Sequence, residues 1–416
     1  MKPVTFLIVG AGDRGFTYAQ YAEHFPDRMK IVGVAEPCEY QRQRMAEMHH
    51  IPSENTLTNW LEAIDKERFA DAVIISTQDA LHYEPAVAFA RKGYHILLEK
   101  PMAPTAEECR NIVREVKKQQ VCFAVCHVLR YTAYTQKLKQ ILSEGVIGDI
   151  ISLQHLEPVG YWHQAHSFVR GNWGNEQKST FMLLAKSCHD LDWIRYIIGE
   201  KCRRLSSFGS LNYFTKANQP SGAAGRCLDC PEQIESRCAY SARKIYLGFL
   251  EQGIKGWPLS VLTPEPDKES ITRALREGDY GRCVFDCDND VVDHQVVNME
   301  FDQGKTATFT MTAFTKAAGR KTRIFGTQGE LEGDGNMIKI FDFRTDKLIE
   351  IDTRRQEGIL QGHGGGDLGI IRNFVDALQS NDASRILTGA DESLETHLMV
   401  FKAEESRHKR QIMEVE

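Results

Sequence analysis

The chain is predicted to be an α/β protein, with an N-terminal doubly wound parallel sheet and a second α/β domain built on an open, mostly antiparallel sheet. Three observations predict it. The N-terminus reads strand, glycine-rich turn, helix. Strand and helix patterns then alternate to about residue 128. Beyond that point alternating β-segments joined by short turns take over. A chain of 416 residues is too long for one ordinary core. Two domains are therefore expected, 1–128 and 129–416, the second carrying a cysteine-rich insertion at about 212–290.

The first stretch is the most informative. The apolar run Phe6–Val9 leads into Gly10-Ala11-Gly12-Asp13-Arg14-Gly15, and Tyr18, Tyr21, Ala22 and Phe25 follow at the spacing of one helix face. In this context G-x-G-x-x-G is the Rossmann dinucleotide fingerprint. Gly10 permits the tight turn, Gly12 lets backbone approach a pyrophosphate, and Gly15 lets helix and strand pack closely. The phosphates would sit on free N–H groups at the helix N-terminus, where Asp13 and Arg14 are also candidate cofactor residues. A second β-run, Met29–Ala35, ends in Glu36, 21 residues after Gly15. A carboxylate there binds the adenosine ribose 2′-hydroxyl and repels a 2′-phosphate, which favours NAD over NADP. Arg42 and Arg44 keep NADP open as the alternative.

The remaining elements follow in order. Helix patterns are read at Glu39–Met48 and Trp60–Ile64, a buried parallel strand at Ala72–Thr77, and a helix at Leu81–Lys92 closed by Gly93. Tyr94–Leu98 is the next strand and stops at Glu99-Lys100-Pro101. Thr105 N-caps a helix through Gln119 with Glu107 and Glu108 in its first turn, and Val121–Val128 closes the set. After a helix at Tyr134–Ser143, β-segments are read at Asp149–Leu156, Leu205–Leu211, Val291–Phe301, Lys305–Ala313, Thr322–Gly326, Met337–Phe343 and Lys347–Asp352. Helices are read at Thr180–Ile198, Asp367–Ser380 and Asp391–His408. One face of this second sheet is expected under helices, the other at a subunit interface.

Composition sets the broad class. Hydrophobic content of 42% and charged content of 26% are those of a globular protein, and a net charge of −6 argues against a nucleic-acid surface. No run of about 18 apolar residues suggests a membrane span, and the N-terminus reads as a strand rather than a secretory leader. Eleven cysteines, an odd number with several in predicted core strands, suit a reducing cytoplasm better than a disulfide framework.

The pieces GAGDRG (10–15), TQDALH (77–82), EKP (99–101), VLRY (128–131), CHDLD (188–192), FGTQGELEGD (325–334), GHGGGD (362–367) and AEESR (403–407) together resemble the Gfo/Idh/MocA family, over nearly the whole chain. The resemblance implies NAD(P)-dependent chemistry on sugars and polyols, and a homodimer or homotetramer. It also implies that Thr77 and His82 line the nicotinamide side. Lys100 ends a strand in the crevice where open α/β sheets bind ligands, and Glu99 would hold it. Oxidation of a secondary alcohol needs a base at the hydroxyl and a cation for the developing alkoxide, and a lysine there serves either need. On the predicted helix Thr180–Ile198, Leu184, Leu191, Ile194 and Ile198 take core spacing, while Lys186 and His189, at i and i+3, share the other side. Family members place Asp-x-x-x-His here. His189 matches the histidine, but Ala185 stands in place of the aspartate, with Lys186 beside it.

Two further stretches stand out. EPVGYWHQAHSFVRGNWG (157–174) offers aromatics and hydrogen-bonding groups for a sugar. Within it His163, Arg170 and Trp173, with Arg130 upstream, are candidate substrate residues. In the insertion, Cys227 and Cys230 form a C-x-x-C pair followed by Cys238, Cys283 and Cys287. Cys227, Cys230, Cys238 and Cys283 are candidate ligands of a structural zinc, with Cys287 as the spare. The polar segment around them, 218–237, has little to bury, which a metal would offset. The expected function is NAD-dependent oxidation of a hydroxyl on a sugar, sugar acid or cyclitol, using Lys100, His189 and Lys186. The alternatives are a redox-neutral glycosidase that oxidises its sugar transiently, and a non-catalytic NAD-binding regulator, which would have no need of Lys100 and His189.

Overall fold

The structure, a computed structural model, describes residues 2–354 and 362–415. Its first sheet is parallel, in the order β3-β2-β1-β4-β5-β6. The strands are β1 (Val4–Val9), β2 (Met29–Ala35), β3 (Thr56–Leu57), β4 (Ala72–Ile75), β5 (His95–Leu98) and β6 (Phe123–Val125). The helices between them are α1 (Asp13–His24), α2 (Glu39–His49), α3 (Trp60–Asp65), α4 (Tyr83–Arg91) and α5 (Ala106–Lys118). Both faces of the sheet are covered, which is why β4 is apolar at every position. Alternate residues of β1 serve two cores. Phe6 and Ile8 join Tyr18 of α1, whereas Leu7 and Val9 join Phe89 of α4 and Ile112 of α5. Thr105 caps α5, its hydroxyl accepting from Glu108 N at 3.2 Å.

After α6 (Ala133–Ser143), the second sheet runs β14-β13-β12-β11-β7-β10-β9-β8-β15, and β7 with β10 is its one parallel pair. Its strands are β7 (Ile150–Pro158), β8 (Cys202–Ser210), β9 (His294–Phe301), β10 (Thr306–Thr312), β11 (Lys321–Gly326), β12 (Gly329–Gly333), β13 (Met337–Asp342), β14 (Lys347–Asp352) and β15 (Met413–Glu414). Alternation is strict in β10, where Ala307, Phe309 and Met311 enter the core and Thr306, Thr308, Thr310 and Thr312 point away. Between β7 and β8 lie α7 (Tyr161–His163), which continues as π-helix through Arg170, then α8 (Met182–Ala185) and α9 (Cys188–Ile198). The insertion carries four short helices, α10 (Glu232–Glu235), α11 (Gly248–Glu251), α12 (Leu259–Leu262) and α13 (Lys268–Glu277), around a small core of its own that includes Tyr246, Leu259, Ile271 and Leu275.

The structure differs from the sequence reading in several elements. The helix expected over Thr180–Ile198 is broken at Lys186–Ser187, the short strands β3 and β15 and the helices of the insertion were not anticipated, and neither was β12, because Gly329 and Gly333 bracket a short segment without a clear alternation. At the C-terminus, α14 (Gly366–Ser380) packs back on the first sheet, with the Phe374 ring tilted against that of Phe6, centroids 6.2 Å apart. The last helix, α15 (Ala390–Lys409), lies against both α5 and β8 and so touches both halves.

Candidate active site

Strand order reverses between β1 and β4, and the crevice outside their C-terminal ends is where doubly wound sheets take ligands. Gly10 there has φ +89°. A Cβ on Gly15 would lie 2.1 Å from the Gly10 carbonyl, whereas one on Gly12 would meet nothing within 4 Å. The turn is thus closed tightly at Gly10 and Gly15 and open at Gly12, the N-cap of α1, as a backbone approach to pyrophosphate requires. Glu36 is buried and aims its carboxylate back at this loop, accepting from Ala11 N at 2.7 Å and Cys38 N at 2.8 Å. Arg42 donates to the carbonyls of Glu36 and Pro37, and Arg44 lies 4.0 Å over the Phe16 ring. Asp13 is exposed at the start of α1. Arg14 turns inward, pairing with Glu99 at 2.7 Å and Asp367 at 2.6 Å.

Glu99 is buried. Burial pushes its pKa up, but Arg14 and Lys100 outweigh this and hold it below the usual carboxylate range. Its second oxygen accepts from the Lys100 backbone N–H at 2.7 Å, so it fixes the main chain of Lys100 rather than the ammonium. The ammonium crosses to the second half of the chain, where Lys100 Nζ donates to the Ala185 carbonyl at 2.6 Å. That contact accounts for the broken helix. The carbonyl that an unbroken helix would offer to His189 N–H accepts Lys100 instead, and a new helix starts after Ser187. Thr77 and His82 pin neighbouring loops. Each ring nitrogen of the fully buried His82 lies on a carbonyl, Pro101 at 2.7 Å and Thr77 at 3.1 Å, so His82 shapes this wall from behind.

Lys186 pairs with Glu157 at 3.3 Å, and Arg320 bridges Glu157 at 3.1 Å and Asp190 at 2.5 Å. His155 completes the network, its Nε2 3.1 Å from Asp190 and its Nδ1 2.7 Å from Thr322. Burial raises the Asp190 pKa, but the Arg320 charge and the His155 hydrogen bond overcome it and leave the group well below the ordinary value. A depressed folded-state pKa adds stability that is complete above the unfolded value, about 3.9, and is lost as pH falls through the lower folded value. Acid unfolding followed by circular dichroism should therefore steepen below about pH 4, and Asp190→Asn should flatten that limb. His163 lies near this cluster, its pKa driven well down by burial and then by Lys186.

Behind Lys100 and His189 stands a buried histidine group. The His127 ring is 5.8 Å from that of His189 and 5.4 Å from that of His397. Burial pushes His127 down to about 4 against the pull of Asp192, and His397 down to about 3. His397 is a neutral imidazole, accepting from Met102 N at 2.9 Å through Nε2 and donating to the Ser393 carbonyl through Nδ1.

Several sequence expectations need correction. Arg130 does not face substrate. It is 4% exposed and grips Asp192 through Nε at 2.7 Å and Nη2 at 2.6 Å, with Nη1 on the Leu387 carbonyl. Arg170 is equally buried, turned into the insertion, on the carbonyls of Arg282 and Tyr240. Trp173 ties its loop to the first half by donating to Asp79 at 3.2 Å. Sequence reasoning missed His155, Glu157 and Arg320. The available signal was β7, where His155 and Glu157 share the inward parity of Leu153.

Comparison with known proteins agrees with this architecture. Residues 4–127 match the NAD-binding Rossmann fold of an oxidoreductase family, and residues 139–415 match the C-terminal alpha/beta domain of the same family. The Bacillus subtilis (strain 168) protein YteT, named as an oxidoreductase, is 24% identical across 94% of this chain and 92% of its own length. An Escherichia coli (strain K12) 2,7-anhydro-N-acetylneuraminate hydratase is 27% identical over 50% of this chain and 52% of that protein. Among solved structures, a levoglucosan dehydrogenase in complex with NADH and levoglucosan superposes with a TM-score of 0.71 at 18% identity, covering all of both chains.

Proposed function

The chain belongs to the GFO/IDH/MocA oxidoreductase family, and we propose that it is an NAD-dependent dehydrogenase acting on a hydroxyl of a sugar, sugar acid or cyclitol. We assign residues 1–128 to the cofactor and 129–416 to substrate and assembly. The observation that carries the reading is the 2.6 Å contact of Lys100 Nζ with the Ala185 carbonyl. It brings the lysine at the mouth of the Rossmann crevice to the helix break at Lys186, just before His189 in the first turn of α9. NAD supplies the hydride acceptor, and Gly10, Gly12, Gly15 and Glu36 are the residues that would hold it. Lys100 stabilises the alkoxide that develops as the substrate hydroxyl loses its proton, and His189 takes that proton. Lys186 and His163 orient the remaining hydroxyl or carboxylate groups. Arg170, buried elsewhere, has no part in this.

With Arg42 and Arg44 both engaged and Glu36 at the ribose position, NAD should exceed NADP by at least about 100-fold in kcat/KM. Initial rates with both cofactors check this, and equal rates would refute the assignment of Glu36. A sugar and glycoside panel, followed by nicotinamide absorbance and released aglycone together, tests the reaction itself. Net NADH without release supports the dehydrogenase. Release without net NADH selects the redox-neutral reading, which the relationship to a hydratase, an enzyme of no net oxidation, keeps in view.

A cytoplasmic homodimer or homotetramer fits the remaining features. Among the described residues no helix is long and apolar enough to cross a membrane, and all eleven cysteines are free. The open face of the second sheet exposes Ile151 and Phe208, and we infer that a second copy covers it.

A further inference from the structure

The insertion concentrates five cysteines away from the cofactor crevice. Four of them, Cys227, Cys230, Cys238 and Cys283, line one small cavity of about 30 Å³ together with Ile234 and Phe285. They come from three segments. A reciprocal backbone pair brings the first and last together, with Cys227 N on the Gly281 carbonyl and Cys283 N on the Gly225 carbonyl, each at 2.9 Å. The turn of α10 returns Cys238 to the same place. Cys287 does not line the cavity, and its Sγ lies 3.2 Å from the Cys283 carbonyl instead.

Two independent observations give this cluster a purpose. From Thr215 to Tyr240 a single residue is buried, and it is Cys227. The segment therefore gives the apolar core of the insertion only Cys227, with Leu228 and Tyr240 half-buried against it, and most of its length is held by no core of its own. The second observation is Arg170. This guanidinium is 4% exposed, and its hydrogen bonds go to neutral groups, the Arg282 carbonyl at 2.7 Å, the Tyr240 carbonyl at 2.7 Å and Cys227 Sγ at 3.4 Å. Among the described residues no carboxylate forms a salt bridge with it. A buried cation without an anion is strongly unfavourable. Four thiolates on one Zn²⁺ carry a net charge of −2, and a guanidinium donating to one of the sulfurs is the complement such a centre needs.

We propose that Cys227, Cys230, Cys238 and Cys283 hold a structural zinc ion, with Arg170 as its counter-charge through Cys227. On binding, each thiol releases its proton to solvent and forms a Zn–S bond, and no electron moves. The one trio of ligand atoms among the described residues that already lies within 4.8 Å of one another is Glu176, Glu404 and His408, and Arg407 neutralises it by pairing with Glu404 and Glu176. The four sulfurs are spread more widely around their cavity. Metal binding draws the four sulfurs inward to about 2.3 Å from the ion, with three of them on the largely exposed segment 215–240. The centre braces the π-helix that ends in Arg170, and hence the wall that carries His163.

Metal content of the purified full-length chain, measured by inductively coupled plasma mass spectrometry, tests this. About one zinc per chain is expected. Serine at position 227, 230, 238 or 283 should lower it at least about tenfold, and Cys287→Ser should leave it unchanged. Should the serine variants fail to fold, cobalt exchange of the wild-type protein decides instead: the visible bands and sulfur-to-cobalt charge transfer of a tetrahedral thiolate site support the proposal. A chain free of metal after expression with added zinc overturns it. Iron with a visible chromophore overturns the choice of zinc, and a Cys287→Ser loss equal to the others overturns the ligand set.

Discussion

Lys100→Met is expected to lower kcat by roughly 10³-fold while changing the dissociation constant for NAD by less than about tenfold. The argument rests on where the lysine ends. Its backbone is fixed by Glu99, whose own carboxylate is held by Arg14 and Tyr18. Its ammonium reaches the Ala185 carbonyl across the cleft. Methionine preserves length and packing but removes the charge, so the stabilisation of a developing alkoxide is lost while the glycine turn at Gly10–Gly15 is untouched. Nicotinamide fluorescence titration reads cofactor binding, and stopped-flow absorbance reads hydride transfer. Lys100→Arg should recover only part of the rate, since a guanidinium keeps the charge without the same geometry. Turnover of the methionine variant within tenfold of wild type would remove Lys100 from the chemistry.

The largest effect on stability is expected at Asp192→Ala. Asp192 is fully buried and accepts two bonds from Arg130 and one from Thr396 at 3.2 Å. Removing it strands a guanidinium that is 4% exposed, a change that costs about 3–5 kcal/mol. Urea unfolding monitored by circular dichroism should show the midpoint fall with little change in slope. Replacing both partners, as Arg130→Met with Asp192→Leu, should regain much of the loss, because two well-packed apolar groups leave no buried charge. If Asp192→Ala unfolds at the wild-type midpoint, the pair is not a structural bolt.

The first sheet was largely legible because its signals are local. The glycine spacing of Gly10–Gly15, the acid at Glu36 and the cap at Thr105 each declare themselves within a few residues, and unbroken apolar runs mark strands covered on both faces. The misread residues depend on distant partners. Arg130 resembles a substrate-binding arginine until Asp192, 62 positions away, is seen to hold it. Arg170 sits in an aromatic stretch that reads as a sugar wall, yet it points at a carbonyl 112 positions away. The break at Lys186–Ser187 could not be read from helix periodicity, because its cause is an ammonium 85 positions upstream taking a helical carbonyl. The network of His155, Glu157, Asp190 and Arg320 joins β7, α9 and the loop before β11 in the same way.

The return of α14 to the first sheet sets an order of events during synthesis. Ile370, Ile371, Phe374 and Val375 fill the same core as Phe6 and Ile8, yet they leave the ribosome some 360 residues later. The nascent nucleotide-binding half therefore emerges with part of one face uncovered and stays so through translation of β7 to β14 of the second sheet. Closing that core and aligning the two halves through α15 become one late, concerted event. The cofactor crevice is thus completed only when nearly all of the chain has been made.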